Sequence, residues 1–392
     1  MEHSNDATAP SDLGILGGGQ LARMTLLAAS ALGIDVAIMD LAPDSPAGRL
    51  TRHEVVAASW GDEAALRQFA ALAPTITLEN EFVPARSLYV LEEAGAIVVP
   101  QSSALAAVQD KLHQKTCLAA AGLPVPPFRP VEDARDVLAA ARDMGWPLLL
   151  KRRRNGYDGY GNRTLRGPDD VIPAMATLQG AGDRPHAERA LMVEGFVAFD
   201  RELAVMVVRG RDGEVRQYPV AETVQRNHVC HHVCAPADVP SYVAARAAAL
   251  ARAAATALDL RGVVGVEIFL MADGSVAINE MAPRVHNSGH YTIEGCVTSQ
   301  FENAVRAALN LPLGETHMIA PAAAMVNLLG SREAPGRPDG LEDALAVPGA
   351  HVHLYGKGRS RPGRKMGHVT ALGATVEAAM SAATRAAGTI VI

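Results

Sequence analysis

The chain has 392 residues, 49% of them hydrophobic and 20% charged, with a formal net charge of −6. That length suits two or three domains around a large core, and the acidic balance excludes global attraction to nucleic acid or anionic lipid, so an anionic ligand must be met by local Lys and Arg clusters. Membrane-spanning and secreted disulfide-rich classes are excluded too: the Ala-rich run 242–258 is broken by Arg246 and Arg252, "MEHSNDATAPSD" has no apolar signal core, and Cys117, Cys230, Cys234 and Cys296 suit a reducing cytoplasm.

The first hundred residues alternate short apolar runs with helical patterns. A strand at 13–16 leads into a helix at 20–32 stopped by Gly33. A strand at 34–39, the turn-rich "LAPDSPAGR", a helix near 62–72, a strand at 74–78, a helix at 84–94 and a strand at 96–99 follow. Such alternation predicts a parallel sheet covered on both faces. One helix is expected over about 103–121, ended by Gly122 and the cluster Pro124, Pro126 and Pro127. From about 147 to 235 the pattern favours strands. A helix at 241–259, a hairpin at 263–280 and a helix near 298–309 come next, and the last eighty residues mix short strands with a Gly/Arg-rich loop at 356–367.

"GILGGGQLARM" at 14–24 raises the first question of chemistry. Gly17, Gly19 and Ala22 fit the dinucleotide fingerprint G-x-G-x-x-G/A, and Asp40 stands where a ribose-binding acid belongs. An NAD-dependent dehydrogenase follows from those residues alone, but it leaves the other motifs of the chain without a task.

The most informative of those is "VVGVEIFLMADGSVAINEMAPR". Asp273-Gly274 is a two-residue hairpin turn signal, and counting outward from it sets Glu267 opposite Glu280. Side chains so placed are about 5 Å apart at Cβ. Paired carboxylates in apolar surroundings repel and raise each other's pKa unless a cation sits between them, and Mg²⁺ with substrate phosphates is the cation that suits them. The plainer alternative is a solvated acid pair on an edge hairpin.

In "LLLKRRRNGYDGYGN", Lys151 closes a strand and Gly156, Gly159 and Gly161 space a loop able to lay N–H groups on phosphates; a basic surface turn is the alternative. "EGFVAFDREL" offers Glu194–Val197 to a purine edge and Glu202 to a ribose. "YGKGRSRPGRKMGH" gathers Lys357, Arg359, Arg361, Arg364, Lys365 and His368 into a candidate anion site, and "PRVHNSGHYT" adds Arg284, His286, Asn287 and Ser288. "HVCHHVC" at 228–234 imitates a zinc site, but it lacks a second ligand pair and sits where a strand is expected.

Together, "GGGQLARM", "GYDG", "NEMAPR", "HNSGHYT" and "RPGRKMGH" resemble the N5-carboxyaminoimidazole ribonucleotide synthetase family, the ATPase subunit of phosphoribosylaminoimidazole carboxylase, within the ATP-grasp superfamily. The resemblance covers nearly the whole chain. It implies an α/β, ATP-grasp fold with an N-terminal Rossmann-like parallel-sheet domain (1–108), an ATP-grasp domain (109–312, mobile lid about 123–193) and a small C-terminal β-rich domain (313–392). It implies a cytoplasmic, homodimeric ligase using ATP, Mg²⁺, bicarbonate and 5-aminoimidazole ribonucleotide, with no nucleic acid or membrane partner.

By the same resemblance, Lys111, Lys151, the loop Gly156, Tyr157, Asp158, Gly159, Tyr160, Gly161 and Asn162, then Glu194, Gly195, Phe196, Val197, Glu202, Gln225, Asn279 and Glu280 would hold ATP. Glu267 and Glu280 would hold Mg²⁺. Tyr157, Asp158, Arg284, His286, Asn287, Lys357 and Arg364 would meet the reacting groups, and Gly19, Gln20, Glu81, Ser288 and Lys365 would complete the ribonucleotide pocket. The chain departs from the family pattern at Tyr160, Asn162, Thr223, Gln225 and Val285. The alternatives kept beside this are another ATP-grasp ligase, such as a formate-dependent glycinamide ribonucleotide transformylase, and a nucleotide-binding protein with weakened turnover.

Overall fold

The computed structural model describes residues 10–156, 161–180, 189–226 and 229–392. Its N-terminal unit is a five-stranded parallel sheet in the order His53–Val56, Val36–Asp40, Leu13–Leu16, Thr75–Leu78, Ile97–Val99. The central strand Leu13–Leu16 is buried along its whole length, as a strand covered by helices on both faces must be. The edge strand His53–Val56 is absent from the sequence expectation; four residues of mixed burial give no clear period.

A single helix over 103–121 is corrected by the structure. Helices Ser102–Gln109 and Lys111–Ala120 meet at Asp110, whose extended backbone (φ −104°, ψ 105°) interrupts the first and caps the second. The Asp110 carboxylate accepts from Leu112 N at 3.1 Å and His113 N at 3.3 Å, satisfying donors that the helix start leaves open.

The second unit is built on a nine-stranded antiparallel sheet. Eight of its strands run in the order Val276–Ala282, Gly262–Leu270, Arg201–Arg209, Ala221–Arg226, Val229–Ala235, Ala322–Leu329, Lys365–Gly373, Ala350–Leu354, and the ninth, Val215–Gln217, pairs with the far end of Arg201–Arg209. In Arg201–Arg209, Leu203, Val205 and Val207 join one core with the helix Ser241–Ala257, while Met206 and Val208 join another with the helix Gln300–Ala308. Both sheet faces are therefore covered. "HVCHHVC" falls in the strand Val229–Ala235, apart from the undescribed His228. A C-terminal helix, Val376–Thr389, packs its alanines on this sheet where the sequence expectation has only short strands.

A four-stranded antiparallel sheet, in the order Phe128–Val131, Leu191–Gly195, Leu148–Arg152, Asn162–Leu165, forms a separate layer. Its core comes from the helices Ala134–Met144 and Val171–Gln179. The second of these corrects the strand-only reading of 147–235.

Candidate active site

The glutamate pair is present, and its register has an unexpected origin. Glu267 does face Glu280 across the ladder. The turn, however, is longer than Asp273-Gly274: Met271 N donates to Ser275 O at 2.9 Å, leaving three residues in the loop, with Gly274 at φ +79°. Nearer the site, a bulge between Glu267 and Ile268 inserts Asn279 on the opposing strand. The extra residue restores the register that the longer turn shifts. Val276, Ile278 and Met281 all enter one core, so both Asn279 and Glu280 project from the other face, where Asn279 Nδ2 reaches Glu267 Oε2 at 3.4 Å. A β-bulge is the backbone device that points two successive residues to one side.

Glu202, on the neighbouring strand, joins this group rather than standing apart. It hydrogen-bonds Gln225 and Glu267, and burial with the Glu280 charge pushes its carboxyl up to about 7. Burial together with Glu202 and Glu280 pushes Glu267 up to about 8. Glu280 differs: against the burial that would raise it, the ion pair with Lys111 holds it below the usual carboxylate range. Part-buried carboxylates on a cavity wall are oxygen donors suited to Mg²⁺. Among the described residues no group of three or more His, Cys, Asp or Glu is placed to hold a metal ion.

Lys151, at the end of its strand, lies 2.8 Å from Glu194 Oε2, and Lys115 Nζ lies 3.4 Å from Glu194 Oε1. All three are buried. Against its burial, Glu194 is held low by Lys151 and Lys115, while burial draws the Lys115 ammonium down to about 8. Lys115 also donates to Asn279 O at 3.1 Å, pinning the bulge from behind. Lys115 is absent from the sequence expectation, although its spacing four residues after Lys111 sets both on one helix face.

The loop after the second glutamate brings Arg284, His286, Asn287 and Ser288 to the same cavity, of about 570 Å³, whose lining also includes Glu81, Lys111, Lys151, Gly156, Asn162, Phe196, Glu202, Gln225, Glu267, Asn279, Glu280 and Lys365. Arg284 Nη2 donates to Glu81 Oε1 at 2.8 Å, and its Nε completes a bidentate pair. His286 Nδ1 lies 2.8 Å from Ser288 Oγ and Nε2 lies 3.7 Å from Glu267 Oε1. Burial and the charges of Arg284 and Lys365 take His286 down to about 3, so the ring is neutral. Asn287 and Asn327 exchange amide hydrogen bonds at 3.0 and 2.7 Å. Phe199 and Phe269 stack at 4.6 Å between ring centres on the cavity wall.

Other expected residues lie elsewhere. Tyr157, Asp158, Gly159 and Tyr160 are outside the described residues. Gly195 N donates to Pro127 O at 2.9 Å; neither it nor Val197 lines the cavity. Arg364 turns back to donate to Arg359 O at 2.7 Å, and Lys357 Nζ donates to Lys365 O at 2.7 Å. Burial and the Arg364 charge bring Lys357 down to about 8, opposed by Glu79.

Gly19 and Gln20 open the first helix, and here Glu79 is the residue the sequence expectation misses. A Cβ at Gly17 would meet Glu79 Cγ at 2.4 Å, and one at Gly19 would meet Glu79 Oε1 at 2.3 Å. The three-glycine turn thus makes room for the protein's own carboxylate. Asp40 likewise turns inward, accepting from Gly18 N at 2.6 Å. With both acids engaged, the dinucleotide reading loses its pyrophosphate seat.

A parallel sheet unit feeding a lysine- and glutamate-lined cleft, beside a separate four-stranded layer, defines an ATP-grasp ligase. Residues 11–109 match the ribonucleotide synthetase preATP-grasp domain, 116–301 the ATP-grasp domain, and 323–382 the phosphoribosylaminoimidazole carboxylase C-terminal domain. The chain is 41% identical to the N5-carboxyaminoimidazole ribonucleotide synthase of Synechococcus elongatus, over 91% of this chain and 88% of that protein. It belongs to the N5-carboxyaminoimidazole ribonucleotide synthase family. It is also 41% identical to the phosphoribosylaminoimidazole carboxylase of Schizosaccharomyces pombe over 91% of this chain, but spans 64% of that longer protein. The crystal structure of the Aspergillus clavatus synthase with ADP and 5-aminoimidazole ribonucleotide superposes with a TM-score of 0.86, at 36% identity, covering 98% of this chain and 99% of that one. No helix of the described residues is long and apolar enough to cross a membrane.

Proposed function

We propose that the chain carries out its family's reaction, ATP-dependent carboxylation of the exocyclic amine of 5-aminoimidazole ribonucleotide, at a site centred on this cavity. The observation that carries the reading is continuity: Lys111, Lys151, the glutamates, Arg284, His286, Asn287 and Lys365 all line one cavity. A bicarbonate oxygen attacks the γ-phosphorus of ATP, the bond to the β-phosphate oxygen breaks, and ADP leaves. The amine nitrogen then attacks the carbon of carboxyphosphate, or of the CO₂ released from it, and phosphate departs.

Lys111 and Lys151 offset charge on the phosphates, acting where burial strengthens them. Glu267 and Glu280 would hold Mg²⁺, which adds electrostatic stabilisation of the phosphate oxygens. Neutral His286 presents an N–H donor beside Glu267, and Arg284, locked on Glu81, faces the carboxylate end. Gly156–Asn162 would cover the phosphates and exclude water from a labile mixed anhydride. Lys357 and Lys365 supply positive charge for the ribonucleotide phosphate, with Gly19 and Gln20 as the far wall.

The test is ADP release, which must require both bicarbonate and the ribonucleotide. Formate replacing bicarbonate would move the chain to another ATP-grasp ligase, and ATP binding without ADP release would make it a nucleotide-binding protein. We further infer a cytoplasmic homodimer, checked by light scattering.

A further inference from the structure

Gln300 opens the helix Gln300–Ala308 and is fully buried, yet its side chain does not cap that helix. Ser299 does so, accepting from Glu302 N at 3.1 Å. The Gln300 amide instead grips the main chain of His286: Oε1 accepts from His286 N at 2.9 Å and Nε2 donates to His286 O at 2.7 Å. Nε2 also meets His290 Nδ1 at 3.2 Å, and Gln300 N donates to Thr292 Oγ1 at 2.9 Å. A flipped amide would set N–H against N–H and O against O at His286, so this orientation is the one the network allows. Gly289 presses so closely that a Cβ there would stand 2.7 Å from Gln300 Cδ.

The ring carried by that main chain is met by Ser288 on one side and Glu267 on the other. The Ser288 main-chain N–H donates to Nδ1 at 3.4 Å, which makes Nδ1 the acceptor, and Ser288 Oγ lies 2.8 Å from the same nitrogen. The proton then resides on Nε2, on the side of Glu267 and the cavity. Gly289 N gives the His286 carbonyl a second donor at 3.0 Å, whereas Oε1 of Gln300 meets the N–H.

We propose that Gln300 is a positioning residue of the ligase reaction, holding the main chain at 286 so that the His286 Nε2–H is aimed into the cavity beside Glu267. This rests on the function proposed above, in which His286 contacts the reacting groups. A misplacement of such a donor by about 1 Å is enough to cost roughly a hundredfold in rate.

The test compares Gln300→Met, Gln300→Glu and His286→Ala in steady-state ADP release. Gln300→Met keeps the volume and loses the grip; kcat should fall about tenfold or more, with KM for ATP within about twofold of the parent. Full activity of Gln300→Met overturns the proposal, as does a rise in KM for ATP that accounts for the loss. If Gln300→Met does not fold, Gln300→Glu decides. A protonated carboxyl can still accept from the N–H and donate to the carbonyl, but a carboxylate cannot donate. His286 and His290, which face it, are both held neutral by burial. The ratio of Gln300→Glu to parent kcat should therefore climb about fivefold or more from about pH 8 to about pH 6, and a flat ratio overturns the proposal. An undiminished His286→Ala enzyme would instead refute the role given to His286, which separates the two failures.

Discussion

Glu79 Oε2 lies 3.1 Å from the main-chain nitrogen of Ala22, inside the first turn of the helix Gln20–Ala31. The positive end of that helix, which attracts phosphate in dinucleotide-binding proteins, is thereby occupied by a side chain just past the strand Thr75–Leu78, which pairs directly with Leu13–Leu16. NAD(H) at millimolar concentration should give no binding signal by titration calorimetry, under conditions where ATP does.

The same carboxylate gives a pH signature. Burial raises the Glu79 pKa above 4.5 in the fold, outweighing its backbone hydrogen bonds. A raised carboxyl stabilises the fold when protonated, and that contribution fades as pH climbs through the folded-state pKa. Glu79→Gln, neutral throughout, should melt above the parent near pH 8, with the gap closing toward pH 4. A gap that widens on acidification would contradict this.

Asp110 should behave in the opposite sense. Arg153 Nε and Nη2 meet its two oxygens at 3.0 and 2.7 Å, and against burial this pairing holds the carboxyl below 3.8. Its stabilisation is complete above 3.8 and is lost as pH falls through the lower folded value. Asp110→Ala removes the cap and the pair, and should cost about 1–2 kcal/mol at neutral pH. Urea unfolding at pH 7 and pH 3 should show the difference shrinking at the lower pH.

Removing either site glutamate tests the metal assignment. Glu267→Gln and Glu280→Gln should each lower the rate of ADP release by about a hundredfold and raise the Mg²⁺ concentration needed for half-maximal rate. Far-UV circular dichroism should stay unchanged. Equal loss at all Mg²⁺ concentrations would point away from a metal role.

Lys115→Met leaves Asn279 O without its donor and Glu194 with Lys151 alone as its close cation. A loss of about 2 kcal/mol in stability is expected, with ATP affinity weakened about tenfold as the bulge loosens. Thermal melts and nucleotide titration read the two effects separately.

Much of the site is legible in the sequence because its residues are contiguous in motifs. Glu267 and Glu280 are found from a hairpin signal, but for a reason the structure replaces: a three-residue turn and a bulge offset each other, and no periodicity reveals a bulge of one residue. Glu79 and Lys115 escape because their partners, Ala22 and Asn279, are distant in sequence and close only in the fold. The helix Val171–Gln179 hides behind its β-branched start and Pro173, which the first helical turn tolerates. Val376–Thr389 carries a readable start, with Thr375 accepting from Ala378 N and Glu377 in the first turn; an alanine-rich face gives it little contrast.

The strand Ala322–Leu329 pairs with Val229–Ala235, from His232 opposite Val326 to Ala235 opposite Ala323. Gene truncations placed near residue 312 would therefore not release a clean module. They would strip Val229–Ala235 of a neighbour and leave a row of open amides and carbonyls, the sort of raw edge on which chains self-associate. For anyone grafting this protein onto another, the seam lies outside the shared sheet, and residues 322–373 must travel with the catalytic half.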